Sequence, residues 1–226
     1  MQKTMKQIPK KIIPKKSSPT QLKKILAILE RRFPQPECAL IHDSPWQLLV
    51  ATILSAQCTD KRVNMVTPGL FKKFPTIESF AVAKLGEVEK AIQSTGFFRN
   101  KAKNIIACAQ TLLEKFAGEI PQKLEQLVEL PGVGRKTASV ILGTAFGKAE
   151  GIVVDTHVKR LSFRMGLTKE TDPEKVEKDL MKIIPKNKWI AFSHLLILHG
   201  RERCAARKPD CGNCELTDLC PRNGVD

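Results

Sequence analysis

Four of the seven cysteines fall in the last 23 residues, as Cys204, Cys211, Cys214 and Cys220, in the spacing Cys-x6-Cys-x2-Cys-x5-Cys. Four soft donors on so short a loop are suited to a single closed metal site. Zinc and an iron-sulfur cluster both satisfy that ligand count, and the residues alone do not choose between them. A disulfide framework is the weaker account. The cysteine count is odd, Cys38, Cys58 and Cys108 are scattered, and no apolar signal core followed by a small-residue cleavage site opens the chain. The expected compartment is reducing and cytoplasmic.

The rest of the chain must supply the core. Its 226 residues, 42% apolar, suit one or two soluble domains. The longest nearly apolar run, Trp189 to Leu198, contains Ser193 and His194 and falls short of the roughly 20 residues that span a bilayer, so no transmembrane helix and no membrane partner are expected. With 38 basic and 23 acidic residues the net charge is +15. Residues 1–19 hold six lysines and no acid, and the remaining 207 residues still carry +9. A body this basic suits a polyanion; nucleic acid is the commonest, though an acidic membrane or protein satisfies the same arithmetic. Residues 1–19, punctuated by Pro9, Pro14 and Pro19, read as a disordered basic tail.

From residue 20 onward about ten helical patterns follow one another with short connections, and no long alternating β-branched stretch intervenes; the expected fold class is all-α. Ser44-Pro45 and Asp172-Pro173 each set a capping side chain before a proline at the first helical position, opening helices over Trp46 to Ser55 and Glu174 to Ile184. Ile105, Ile106, Ala109, Leu112, Leu113 and Phe116 trace one apolar face, which Gly118 ends. Two parts are expected. One covers 40–150, with most glycine-marked turns; the other comprises 20–39 with 151–226 and ends in the cysteines.

Leu130-Pro131-Gly132-Val133-Gly134-Arg135-Lys136-Thr137 lies between two apolar-periodic segments and reads as helix, tight turn, helix. Gly132 and Gly134 lack Cβ atoms, so amides at the start of the second helix can approach an anion, with the helix dipole adding its positive end. A phosphate is the natural anion, with Arg135 beside it; a plain helix-helix corner is the structural alternative. The run is not a nucleotide P-loop, because Arg135 stands where that motif needs glycine before Lys-Thr. Nineteen residues after Lys136, Asp155 opens Asp155-Thr156-His157-Val158-Lys159-Arg160 at a helix start. Taken singly, Asp155 is an N-cap and Lys136 a solvated cation. A nucleophilic lysine needs desolvation or cationic neighbours, which Arg135, Lys159 and Arg160 could supply. Arg207 and Lys208, between the first two clustered cysteines, would be fixed by a metal-ordered loop and look like a phosphate clamp.

Taken together, these residues resemble the endonuclease III family of bifunctional DNA glycosylase/AP lyases, within the helix-hairpin-helix glycosylase superfamily. The likeness covers about residues 20 to 222. It rests on the 130–138 run, Val154-Asp155-Thr156-His157, Leu54-Ser55-Ala56-Gln57 and the cysteine spacing, all in family order. The resemblance implies two all-helical domains, a six-helix barrel bearing the hairpin and a metal-cluster domain, with DNA in the cleft between them. It implies a structural 4Fe-4S cluster on the four cysteines, Lys136 as Schiff-base nucleophile and Asp155 as the assisting carboxylate. It implies a monomer that acts on double-stranded DNA with damaged pyrimidines or abasic sites. By the same likeness Gln57 fills the hole left by a flipped nucleotide and Phe97 is an apolar wedge; without it they read as a helix-end polar residue and a core aromatic. The chain departs from the family at Glu202, where an aromatic is common, and in its lysine tail.

Two rivals remain. Adenine mismatch glycosylases resemble a pattern with a catalytic glutamate four residues before the glutamine, where this chain has Ile53, and they lack the nucleophilic lysine. A non-catalytic, metal-stabilised DNA-binding module explains charge, hairpin and cysteines but leaves the Lys136 and Asp155 pairing to chance.

Overall fold

A computed structural model describes residues 14–225. Among them are eleven α-helices and two single 3-10 turns, with no strand, so the chain is all-α. The helices are α1 (Pro19–Arg32), α2 (Pro45–Ser55), α3 (Asp60–Lys73), α4 (Ile77–Ala81), α5 (Leu85–Ile92), α6 (Phe98–Phe116), α7 (Leu124–Leu127), α8 (Arg135–Phe146), α9 (Thr156–Arg164), α10 (Pro173–Ile183) and α11 (Trp189–Glu202). The 3-10 turns are Gln93–Thr95 and Lys186–Lys188.

Local chemistry sets most of the starts. Ser44 and Asp172 accept from the amides of Gln47 and Lys175, with Pro45 and Pro173 following each cap, as the sequence predicts. Ser18 and Gln21 form a reciprocal capping box on α1. At the far end of α6, Ala117 and Gly118 both turn left-handed and the Gly118 amide returns to Leu112 O at 2.9 Å.

The chain divides into two compact units. One comprises Glu37–Val153 and Lys186–His194. Its centre is α2, apolar on nearly every side and with seven of its eleven residues buried, as befits a helix that neighbours surround. Around it pack α3, α6 and α8. Trp46 meets Phe80 edge-on at 5.4 Å, and Phe74 lies 5.2 Å from Phe80.

The other unit comprises Met1–Pro36, Val154–Pro185 and Leu195–Asp226. Residues 1–13 of the expected disordered tail lie outside the described residues. Its last part departs from that expectation. Lys15 N donates to Asn223 Oδ1 at 2.9 Å, Asn223 Nδ2 donates back to Lys15 O at 2.8 Å, Ser17 Oγ donates to Met165 O, and Pro19 already opens α1. Partners some 150 to 200 residues away fix a segment whose own composition offers no core.

Candidate active site and metal centre

The hairpin is formed as its glycines require. From α7 the chain turns through Leu130 and Val133, both buried, with Val133 N donating to Leu130 O at 3.0 Å. Gly132 has φ +80, and a Cβ there would stand 2.9 Å from Asn104 Cβ on α6. Gly134 is the N-cap of α8, with extended backbone and open space around it. Like α5, α6 and α7, and unlike α1, α2, α3, α9 and α10, α8 has no capping side chain, so its first amides keep their donors for an outside acceptor. Gly134, Arg135 and Lys136 are exposed beside those amides. A phosphate placed there would meet a backbone donor set, a helix dipole and two cations.

Two further residues of this unit are set unusually. Gln57, just past α2, has φ 53, and Phe97, just before α6, has φ 47; both are exposed, Phe97 to 66%. A left-handed residue with a Cβ costs about 1–2 kcal/mol and persists where its surroundings hold it. Five non-glycine residues among those described are left-handed, and three of them, Gln57, Phe97 and Lys208, are among the DNA contacts expected from the sequence. Phe97 is therefore no core aromatic.

In the other unit, Asp155 caps α9, its Oδ1 accepting from Val158 N at 2.7 Å. That bond pins the carboxylate's orientation and, among the described residues, leaves Oδ2 without a hydrogen bond. Arg160, a candidate cationic neighbour of Lys136 in the sequence, is engaged within its own unit. Its guanidinium donates to Cys204 O at 3.0 Å and Gly200 O at 3.4 Å and lies 3.2 Å from His157 Nδ1. His157 thus belongs to this packing.

Cys204, Cys211, Cys214 and Cys220 line one concavity, together with Arg164 and His199. Burial pushes the Cys214 and Cys220 thiols above their ordinary range, so they ionise readily only against a compensating cation. Arg164, itself buried, donates from Nη1 to Cys204 Sγ at 3.3 Å and to Ala205 O at 2.7 Å, and from Nη2 to Ala206 O at 2.9 Å. Among the described residues no three His, Cys, Asp or Glu side chains close on a single ion; the four sulfurs are set around the cavity wall. A set of four soft donors with a cation beside it fits a thiolate-ligated metal centre. The Arg164 bonds also hold the stretch of loop that leads to Arg207 and Lys208, both exposed. Glu202 pairs with Arg32 at 2.9 Å, and Arg32 also reaches Glu215 at 3.3 Å.

Sequence reasoning missed Lys101, Arg164 and Arg32. Lys101 is 5% exposed and stands four residues before Ile105, on the buried stripe of α6, a position that signalled burial without naming its partners.

Residues 50–186 match the model for the HhH-GPD superfamily base excision DNA repair protein. The chain is 54% identical over 217 residues to an endonuclease III of Synechocystis sp., covering 96% of this chain and 98% of that protein. It is 47% identical over 189 residues to one from Bacillus subtilis, covering 83% and 86%. A solved structure of a trapped endonuclease III-DNA covalent intermediate superposes with a TM-score of 0.86 at 43% identity, covering 91% of this chain and 97% of that one. No helix among the described residues is long and apolar enough to cross a membrane.

Proposed function

The chain belongs to the endonuclease III family, within the HhH-GPD superfamily of base excision DNA repair proteins, and from that premise we propose that it removes oxidised pyrimidines from double-stranded DNA and cleaves the resulting abasic strand by β-elimination. It is a base excision DNA glycosylase. The observation that carries the finer reading is the uncapped, exposed start of α8, which puts Lys136 one residue from Arg135 among amides suited to phosphate.

A damaged base must leave the stack before its glycosidic bond can be reached, at a cost of a few kcal/mol that is smaller for a weakly stacked lesion. Phe97 and Gln57 suit entry into the space so opened, one as an apolar wedge and one as a polar filler. As the glycosidic bond breaks, positive charge grows on the sugar, and the Oδ2 of Asp155 is the oxygen available to stabilise it. The amine of Lys136 attacks the anomeric carbon and the base departs with the bonding pair; the nitrogen then gives up its protons as the sugar's C1′–O4′ bond breaks and O4′ becomes a hydroxyl, which leaves an imine at C1′. The resulting imine acidifies the neighbouring sugar hydrogen; a proton leaves, the 3′ phosphate is expelled, and the strand is nicked without net oxidation or reduction.

Cys204, Cys211, Cys214 and Cys220 would hold a 4Fe-4S cluster, which supplies when bound the cross-links that order residues 204–220. Arg207 and Lys208 project from that loop as phosphate contacts. The expected working state is a monomer on cellular DNA in the cytoplasm. The test is a duplex carrying one thymine glycol, with both the released base and the strand ends analysed. Free thymine glycol with a 3′ unsaturated aldehyde end is expected. Base release that leaves an intact abasic strand would remove the lyase assignment, and no release would remove the substrate assignment.

A further inference from the structure

Lys101 has no part in the chemistry above, yet its side chain is buried in the unit that carries Gln57 and Phe97. Its ammonium donates to Leu54 O at 2.8 Å and to Thr95 O at 2.8 Å. Leu54 is in the last turn of α2, three residues before Gln57; Thr95 ends the 3-10 turn two residues before Phe97. One cation therefore ties together the two backbone segments from which both left-handed residues project. The helix dipole of α2 favours a positive charge at that end. Lys101 also belongs to the first turn of α6, its own amide donating to Phe97 O at 3.2 Å. Between Thr95 and Phe97, Gly96 has φ 69 and ψ 154, a conformation open in practice only to glycine, so this turn has little freedom to adjust. Burial lowers the Lys101 pKa from its ordinary value, while the neighbouring Cys58 acts in the opposite direction.

We propose that Lys101 is a positioning residue that locks the Gln57 and Phe97 segments into one wedge, so that both enter the duplex together when a base is extruded. The inference rests on the reading of Gln57 and Phe97 as residues that enter DNA. Lys101 touches no substrate. Its loss acts by letting the two segments move independently, and acts most where a duplex must be opened.

The experiment compares Lys101→Met, which keeps the length of the side chain without its donors, with Gln57→Ala, Phe97→Ala and the Lys101→Met/Gln57→Ala double variant. Two rates are measured for each protein: excision of thymine glycol from a duplex, and nicking of a single-stranded abasic oligonucleotide that needs no opening. A 2-aminopurine opposite an abasic analogue reports unstacking by its fluorescence. For Lys101→Met the ratio of duplex to single-strand rate should fall about tenfold or more, with the fluorescence rise lost. Adding Gln57→Ala should then cost little further, because the filler is already out of place. An equal fall on both substrates would make Lys101 a merely structural residue and overturn the proposal, as would a wild-type ratio alongside defective Gln57→Ala and Phe97→Ala proteins. If those two variants keep the wild-type ratio and fluorescence, the wedge reading itself fails.

Discussion

The two hairpin glycines are expected to fail in different ways when each is changed to alanine. At Gly132 the backbone is left-handed, and an added Cβ would meet Asn104 Cβ at 2.9 Å and Nδ2 at 3.0 Å. The first of these atoms is fixed to the α6 backbone and cannot rotate away. Left-handed strain costs about 1–2 kcal/mol, and displacing a packed neighbour adds about 1–3 kcal/mol. Gly132→Ala should thus lose about 2–5 kcal/mol in urea unfolding, a melting shift on the order of 10 °C. At Gly134 the backbone is extended, no atom lies within 4 Å of where a Cβ would stand, and stability should move by only about 0.5 kcal/mol. That methyl would instead occupy the space where a phosphate meets the α8 amides. Duplex affinity at fixed salt should fall about tenfold, the worth of a charge-assisted hydrogen bond. Unfolding curves and binding isotherms on both variants check this. A Gly132→Ala protein as stable as the parent would mean that the α6 contact is not tight, and a Gly134→Ala protein that binds undamaged duplex as tightly would remove the α8 start as a phosphate contact.

Asp155→Asn should keep the α9 cap, because asparagine caps as well as aspartate, so stability should stay within about 0.5 kcal/mol while thymine glycol excision falls at least about a hundredfold; a comparable loss of stability would reduce Asp155 to a cap. Cys214→Ser should remove iron, acid-labile sulfide and brown absorbance from the purified protein, and a colourless zinc-bearing parent would contradict the cluster assignment. Arg207→Ala with Lys208→Ala should lower the slope of log affinity against log salt by about 2 on any duplex, and an unchanged slope would remove them as phosphate contacts.

What could be read from the sequence was local. Ser44-Pro45 and Asp172-Pro173 carry cap and first helical residue side by side, and the structure opens α2 and α10 there. The glycine hairpin and the four cysteines are likewise written in short spacings. What escaped reading depends on distant partners. Lys101 and Lys103 flank Ala102 alike in sequence, but the first is buried on carbonyls up to 47 residues away while the second is exposed. Arg164 gains its meaning from Ala205 and Ala206, more than 40 residues on, and Glu202 from Arg32, 170 residues back. Pro68 lies inside α3, where propensity alone places a break. Phe97 would pass for a core aromatic until its left-handed backbone and 66% exposure are seen.

The central claim is that Lys136 is the nucleophile. Borohydride trapping on duplexes with thymine glycol or an abasic site, comparing the parent with Lys136→Gln, tests it most directly. The parent should give a covalent protein-DNA band on both substrates and Lys136→Gln none, with its duplex binding intact. An undiminished band with Lys136→Gln would contradict it.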